Sequence, residues 1–166
     1  MKRRLQSQPP SAPRTGGYLD LAAIGVLVVD DNPNARTLIA EVLRGLGCGR
    51  VYKVSSAEAA LAQLKSARID LVFADVEMPD MNGLEFVRRV RAAPDPAVAG
   101  VVIVIVSAKA TQARVMEAGV SGANSFLCKP YSVSALVRCM NEGFASRRWA
   151  EHPEAPRGRR PKIIDA

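Results

Sequence analysis

Apolar residues along this chain alternate between two rhythms. Short β-branched runs at 24–29 (IGVLVV), 51–55 (VYKVS), 69–74 (IDLVFA) and 101–106 (VVIVIV) are too brief for helices and read as strands. The last is almost wholly β-branched, as expected of a strand covered on both faces of a parallel sheet. Between the runs, apolar positions recur at helical spacing. Leu38, Ile39, Val42, Leu43 and Leu46 form one such stripe, opened by Asn32 as a cap with Pro33 just inside it and closed by Gly47. Ser55 or Ser56 caps a second helix through AEAALAQLKS. A third helix runs through LEFVRRVR, PDPAVAG makes a turn, and 110–118 forms a fourth helix. ANSFLC is the fifth strand and SVSALVRCMNEGF the last helix.

Five strands alternating with five helices predict an α/β fold, a doubly wound five-stranded parallel sheet with helices on both faces. The folded unit is expected over 20–146. Residues 1–19 and 147–166 read as basic, Pro-rich tails, the first of them disordered. The 166 residues suffice for one domain with a real core. No apolar run approaches the roughly 20 residues that span a bilayer. The basic N-terminus is followed by no signal-like apolar stretch. Neither membrane insertion nor secretion is expected.

Charge and cysteines change this picture only at its margins. The net charge of +7 lies in the tails, because 18–146 holds 13 basic and 13 acidic side chains. A neutral folded part without interleaved aromatic and basic residues offers no nucleic-acid surface. Tail-mediated nucleic-acid binding is therefore the lesser alternative, and the tails are expected to add solubility or weak steering. Cys48, Cys128 and Cys139 are odd in number and widely spaced, which argues against a disulfide scaffold or zinc site. A reduced, cytoplasmic setting follows. Cys128 is expected to be buried, and Trp149 to pack back on the domain or, alternatively, to dock on a partner.

The chemistry gathers at the strand ends. In VFADVEMPDMNG, residues 72–83, Asp75 stands at the end of a buried run, directly before a loop full of helix and strand breakers. Strand one ends in Asp30 and Asp31, strand four in Ser107, and strand five leads to Lys129. In an open parallel sheet these positions converge at the carboxyl ends of the strands. Three carboxylates together raise one another's pKa values and call for a cation. Mg²⁺ prefers such oxygen ligands, and Lys129 supplies a fixed positive charge. The set suits a phosphoryl group. Asp75 would be the nucleophile, forming an acyl phosphate. Asp31, helped by Asp30, would hold Mg²⁺, and Ser107 and Lys129 would take the remaining oxygens. Any one of these residues at a strand end is ordinary; all of them together are not.

VLVVDDNP, DVEMPDMNG, VSA and LCKP, in that order, resemble the response-regulator receiver domain of two-component signalling, over about 24–145. The resemblance implies the flavodoxin-like strand order 2-1-3-4-5. It implies that Asp75 is the phosphoacceptor and also a metal ligand. Asp31 would bind Mg²⁺ directly, Asp30 mainly through water, and Glu77 through its backbone carbonyl. Ser107 and Lys129 match the family's hydroxyl and lysine, and Phe126 its aromatic switch residue. Ala108 is small, as phosphate access requires. Glu77 and Lys109 would modulate dephosphorylation, with side chains able to pair across the pocket. AGVSGANSF departs from the family by an extra Gly-rich turn, and Phe126 rules out any switch that needs a phenolic hydroxyl.

The function implied is a bacterial, phosphorylation-dependent switch, charged on Asp75 by a sensor histidine kinase or a histidine phosphotransfer protein. A phosphoryl group adds about 1.5 to 2 negative charges. Ser107 would move toward it, Phe126 would rotate, and the face of the fourth helix, fifth strand and last helix would change shape. The residues after 146 are too few for a DNA-binding or enzymatic output module, so docking on a downstream protein, or phosphate relay, is expected. A homodimer through the fourth-helix face stays open. A conventional enzyme is not expected, although such a protein catalyses its own phosphorylation and slow autodephosphorylation. The main alternative is a pseudo-receiver serving as a constitutive interaction module. An aspartate-nucleophile hydrolase would need a cap segment, and an Asp where Glu77 stands.

Overall fold

A computed structural model describes residues 14–15, 18–151 and 163–164, with side chains over 19–146. The elements in chain order are β1 (Gly25–Val29), α1 (Pro33–Gly45), β2 (Arg50–Val54), α2 (Ala57–Ser66), β3 (Leu71–Asp75) and α3 (Gly83–Arg91). After them come α4 (Pro96–Ala99), β4 (Val102–Ser107), α5 (Gln112–Ser121), β5 (Ser125–Cys128), α6 (Val133–Glu151) and β6 (Ile163–Ile164). A two-residue antiparallel hairpin, Arg14–Thr15 with Tyr18–Leu19, precedes them. The main sheet runs β2-β1-β3-β4-β5-β6, all parallel. Its first five strands are the expected order 2-1-3-4-5.

Strand alternation divides the core in two. Leu27, Val29, Val72, Ala74, Ile105 and Phe126 point into one cluster, with the apolar residues of α2, α3 and α5. Val28, Phe73, Val104 and Leu127 point the other way, against Ile39 and Leu43 of α1 and Leu136 and Met140 of α6. β1, β3 and β4 are buried throughout, which is why their sequences show no polar alternation. Caps set where the helices begin. Asn32 Oδ1 accepts from the Asn34 and Ala35 N–H groups, and Ser56, rather than Ser55, caps α2. Gly122, at φ 103°, ends α5 within the Gly-rich turn.

Three features differ from the sequence reading. The expected turn at 94–100 contains a sixth helix, because Asp95 caps the Ala97 N–H and Pro96 is preset for a first helical turn. A sixth strand, β6, lies within the segment read as a basic, Pro-rich tail; its pairing depends on β5 and not on any local pattern. α6 runs on to Glu151, past the predicted end at Phe144. Trp149 lies in that extension, with its side chain outside the described residues. Of the disordered tail expected over 1–19, residues 1–13 and 16–17 also lie outside them, as do 152–162 and 165–166 of the tail expected over 147–166.

Cys48 and Cys139 are buried and Cys128 half-buried, and all three are free thiols. Among the described residues no helix is long and apolar enough to cross a membrane. At the end of the sheet where strands begin, Arg91 gathers several chain segments. Its guanidinium donates to the carbonyls of Gly122 (2.9 Å), Ala99 (2.7 Å) and Val101 (2.8 Å), and to Asn124 Oδ1 (2.7 Å). Asn124 Oδ1 also accepts from the Ile103 N–H, which ties the corner to the start of β4.

Candidate functional site

At the opposite end of the sheet, four strands deliver one polar residue each. Asp75 is the last residue of β3 and Ser107 the last of β4, while Asp30 directly follows β1 and Lys129 directly follows β5. Parallel pairing brings these ends level: Asp75 lies opposite Val106, and Ser107 opposite Cys128. Asp30 and Asp75 are only 2% and 8% exposed, and Asp31 faces solvent.

Lys129 is the cation between the two buried carboxylates. Its Nζ lies 2.9 Å from Asp75 Oδ1 and 3.1 Å from Asp30 Oδ2. The other oxygen of Asp75 accepts from the Glu77 N–H (2.9 Å), and Oδ1 of Asp30 from the Asn32 N–H (2.9 Å). Arg36 Nη1 donates to the Asp30 carbonyl (2.6 Å), fixing the backbone under the acidic pair. Burial raises the Asp75 pKa above the ordinary carboxylate value; Lys129 opposes the shift and Asp30 adds to it. Burial alone would lower the Lys129 pKa, but its bonds to Asp75 and Asp30 outweigh that and hold it above the usual lysine value. The two directions are compatible. Burial makes a lone charge unfavourable, and two carboxylates on one ammonium leave the lysine oversupplied with negative charge and Asp75 undersupplied with positive charge.

Carboxylate oxygens of Asp30, Asp31 and Asp75 come within 4.8 Å of one another, and hard oxygen donors so grouped fit a divalent cation. Ser107 Oγ accepts from the Lys109 N–H at 3.1 Å and lies 3.4 Å from the Lys109 carbonyl. Above it, Lys109 Nζ and Glu77 Oε1 stand 3.3 Å apart as an exposed ion pair. Ala108 is exposed beside them, and Phe126 is wholly buried, opposite Ile105. The Lys129–Pro130 peptide is cis. The site thus unites Asp30, Asp31, Asp75 and Lys129, and it places Ser107, Glu77 and Lys109 on the two loops beside them.

Three supporting residues escaped sequence reading. Asn32 was visible only as a helix cap, although its own N–H also holds Asp30. Arg36 gave no signal beyond its charge. Gly83 belongs to the loop after Asp75, and the reason it is glycine lies in the packing. A Cβ there would sit on the carbonyl oxygen of Asp75.

A model of the response regulator receiver domain family matches residues 26–141. Chemotaxis protein CheY-3 of Vibrio cholerae serotype O1 is 28% identical over 119 residues, covering 72% of this chain and 90% of that protein. CheY of Pseudomonas aeruginosa is 32% identical over 111 residues, covering 67% and 88%. Among solved structures, CheY4 of Vibrio cholerae superposes with a TM-score of 0.66 at 28% identity, over 72% of this chain and 98% of that one. A putative response regulator from Chloroflexus aurantiacus gives 0.68 at 29% identity, over 74% and 98%.

Proposed function

The chain belongs to the response regulator receiver family of two-component signalling, and we propose that it accepts a phosphoryl group on Asp75 and then docks on a downstream protein. The donor in this reading is a sensor histidine kinase or a histidine phosphotransfer protein, and the setting is the cytoplasm. One observation carries it: Asp75 is a buried carboxylate with a lysine on one oxygen and a backbone N–H on the other.

Those two donors orient the carboxylate, one on each oxygen. An Asp75 oxygen attacks phosphorus, the new O–P bond forms, and the P–N bond to the donor histidine breaks. Lys129 stays within reach of the transferred oxygens and balances the charge. Asp31 and Asp75 would hold Mg²⁺, with the Glu77 carbonyl and, through water, Asp30. When bound, the ion neutralises charge developing on the phosphoryl oxygens. Ser107 Oγ needs only to leave the Lys109 backbone to donate to a phosphoryl oxygen. The buried Phe126, on the strand next to Ser107, is the side chain through which that movement would spread.

The test uses acetyl phosphate with Mg²⁺, read by intact mass. The wild type should gain one phosphoryl group, and Asp75→Asn none. Equal labelling of both proteins would place the acceptor elsewhere; no labelling of either would favour a constitutive docking module.

The Glu77–Lys109 ion pair bridges the loops that follow Asp75 and Ser107; in this reading it screens the acceptor, so Lys109→Ala should admit water more readily and shorten the adduct's life. An exposed pair is worth at most about 1 kcal/mol, which limits the acceleration to about fivefold. Timing the decay of the adduct by mass measures it. An unchanged lifetime would mean the pair does not gate water.

A further inference from the structure

β6 supplies a feature that receiver chemistry does not require. Ile163 and Ile164 pair parallel with β5, opposite Phe126 and Leu127. Without them β5 would be the outer strand of the sheet, with one row of backbone N–H and C=O groups unpaired. An edge of that kind accepts an extended segment that adds a strand. The chain carries one suited to it. Beyond Glu151, Ile163 and Ile164 are the only β-branched residues, in a segment otherwise made of Pro, Arg, Gly, Ala, Lys, His and acidic residues.

Direction and reach agree with this pairing. α6 returns the chain toward the end of the sheet where β5 begins, as a crossover helix does, so a strand resumed after it adds in parallel. The helix has 19 residues. Its length is about 28 Å. The segment 152–162 that follows could span up to about 36–40 Å if extended. That is ample to pass from helix to sheet edge.

We propose that the outer edge of β5 is a strand-docking surface whose resident occupant is this chain's own C-terminal segment at Ile163–Ile164. A partner that docks there by adding a strand must first displace it. The inference does not depend on phosphorylation of Asp75. Its position nevertheless matters for signalling, because β5 pairs on its inner side with β4, Cys128 opposite Ser107, and leads straight into Lys129. The tail and the acidic site meet on one four-residue strand.

Hydrogen exchange on the full-length chain tests this. Ile163→Pro with Ile164→Pro removes both N–H groups from β6. Those amides within 125–128 that point to β6 rather than β4, every second one along the strand, should then exchange at least about tenfold faster, while those of Leu71–Asp75 keep their rates and report an intact fold. Protection at 125–128 in the variant that returns only at high protein concentration would also support the proposal, with a second copy filling the vacated edge. Rates at 125–128 unchanged at every concentration would overturn it. So would equal acceleration in both strands, which would mean the tail acts on global stability and not on this edge.

Discussion

Gly83→Ala is expected to destabilise the protein by about 2–4 kcal/mol and to disturb Asp75 itself. The added Cβ would press on the Asp75 carbonyl oxygen and come within 3.0 Å of the Asp75 carbonyl carbon and the Val76 Cα. None of these atoms ends a flexible side chain. They belong to the last residue of β3 and to Val76, whose N–H donates to the Val106 carbonyl at 3.0 Å. Relief has only two routes. Either α3 backs away, loosening the buried Leu84, Phe86 and Val87, or the end of β3 shifts and carries the carboxylate with it. Urea unfolding measures the first, and a loss below about 1 kcal/mol would mean that α3 yields without cost. The rate of labelling by acetyl phosphate measures the second; a misplacement of about 1 Å should slow it by an order of magnitude or more.

Lys129→Ala is expected to lower the stability of the metal-free protein by about 1–3 kcal/mol, whereas Asp75→Asn should leave it unchanged or raise it. Two nearly buried carboxylates depend on one ammonium. Without it they face each other, and Asp75, already raised in pKa by burial, relieves part of the strain by taking a proton. That relief keeps the loss below the full penalty for a buried pair. Asp75→Asn instead removes one of the competing negative charges and leaves Lys129 with Asp30. Magnesium at millimolar concentration should stabilise Lys129→Ala more than the wild type, because the cation then replaces the missing charge. Denaturation midpoints with and without the ion decide the matter. If Asp75→Asn were the less stable variant, the pair would be a structural ion pair and not a crowded anionic site.

Gly83→Ala probes what the sequence left hidden, whereas the Lys129 and Asp75 variants probe residues it displayed. The strands were readable because β1, β3 and β4 are short apolar runs with no competing helical period. Asn32 and Pro33 announced α1 through local chemistry alone. The strand-end residues were legible for a topological reason: parallel strands bring their carboxyl ends to one line, so the order of strands along the chain groups Asp30, Asp75, Ser107 and Lys129. α4 was missed because a single turn carries no periodicity. β6 was missed because two isoleucines become a strand only when an unfilled edge lies beside them. Gly83 and Arg36 act through backbone atoms of residues distant from them in their local pattern, and no composition or spacing records such an approach.

Arg91 has a mechanical consequence. Its guanidinium grips neutral oxygens from the end of α4 and from the two connections that lead into β4 and β5, and Asn124 carries the grip into β4. β4 and β5 run from this corner to Ser107 and Lys129, so the grip fixes the lengthwise position of both strands at the end opposite the acidic site.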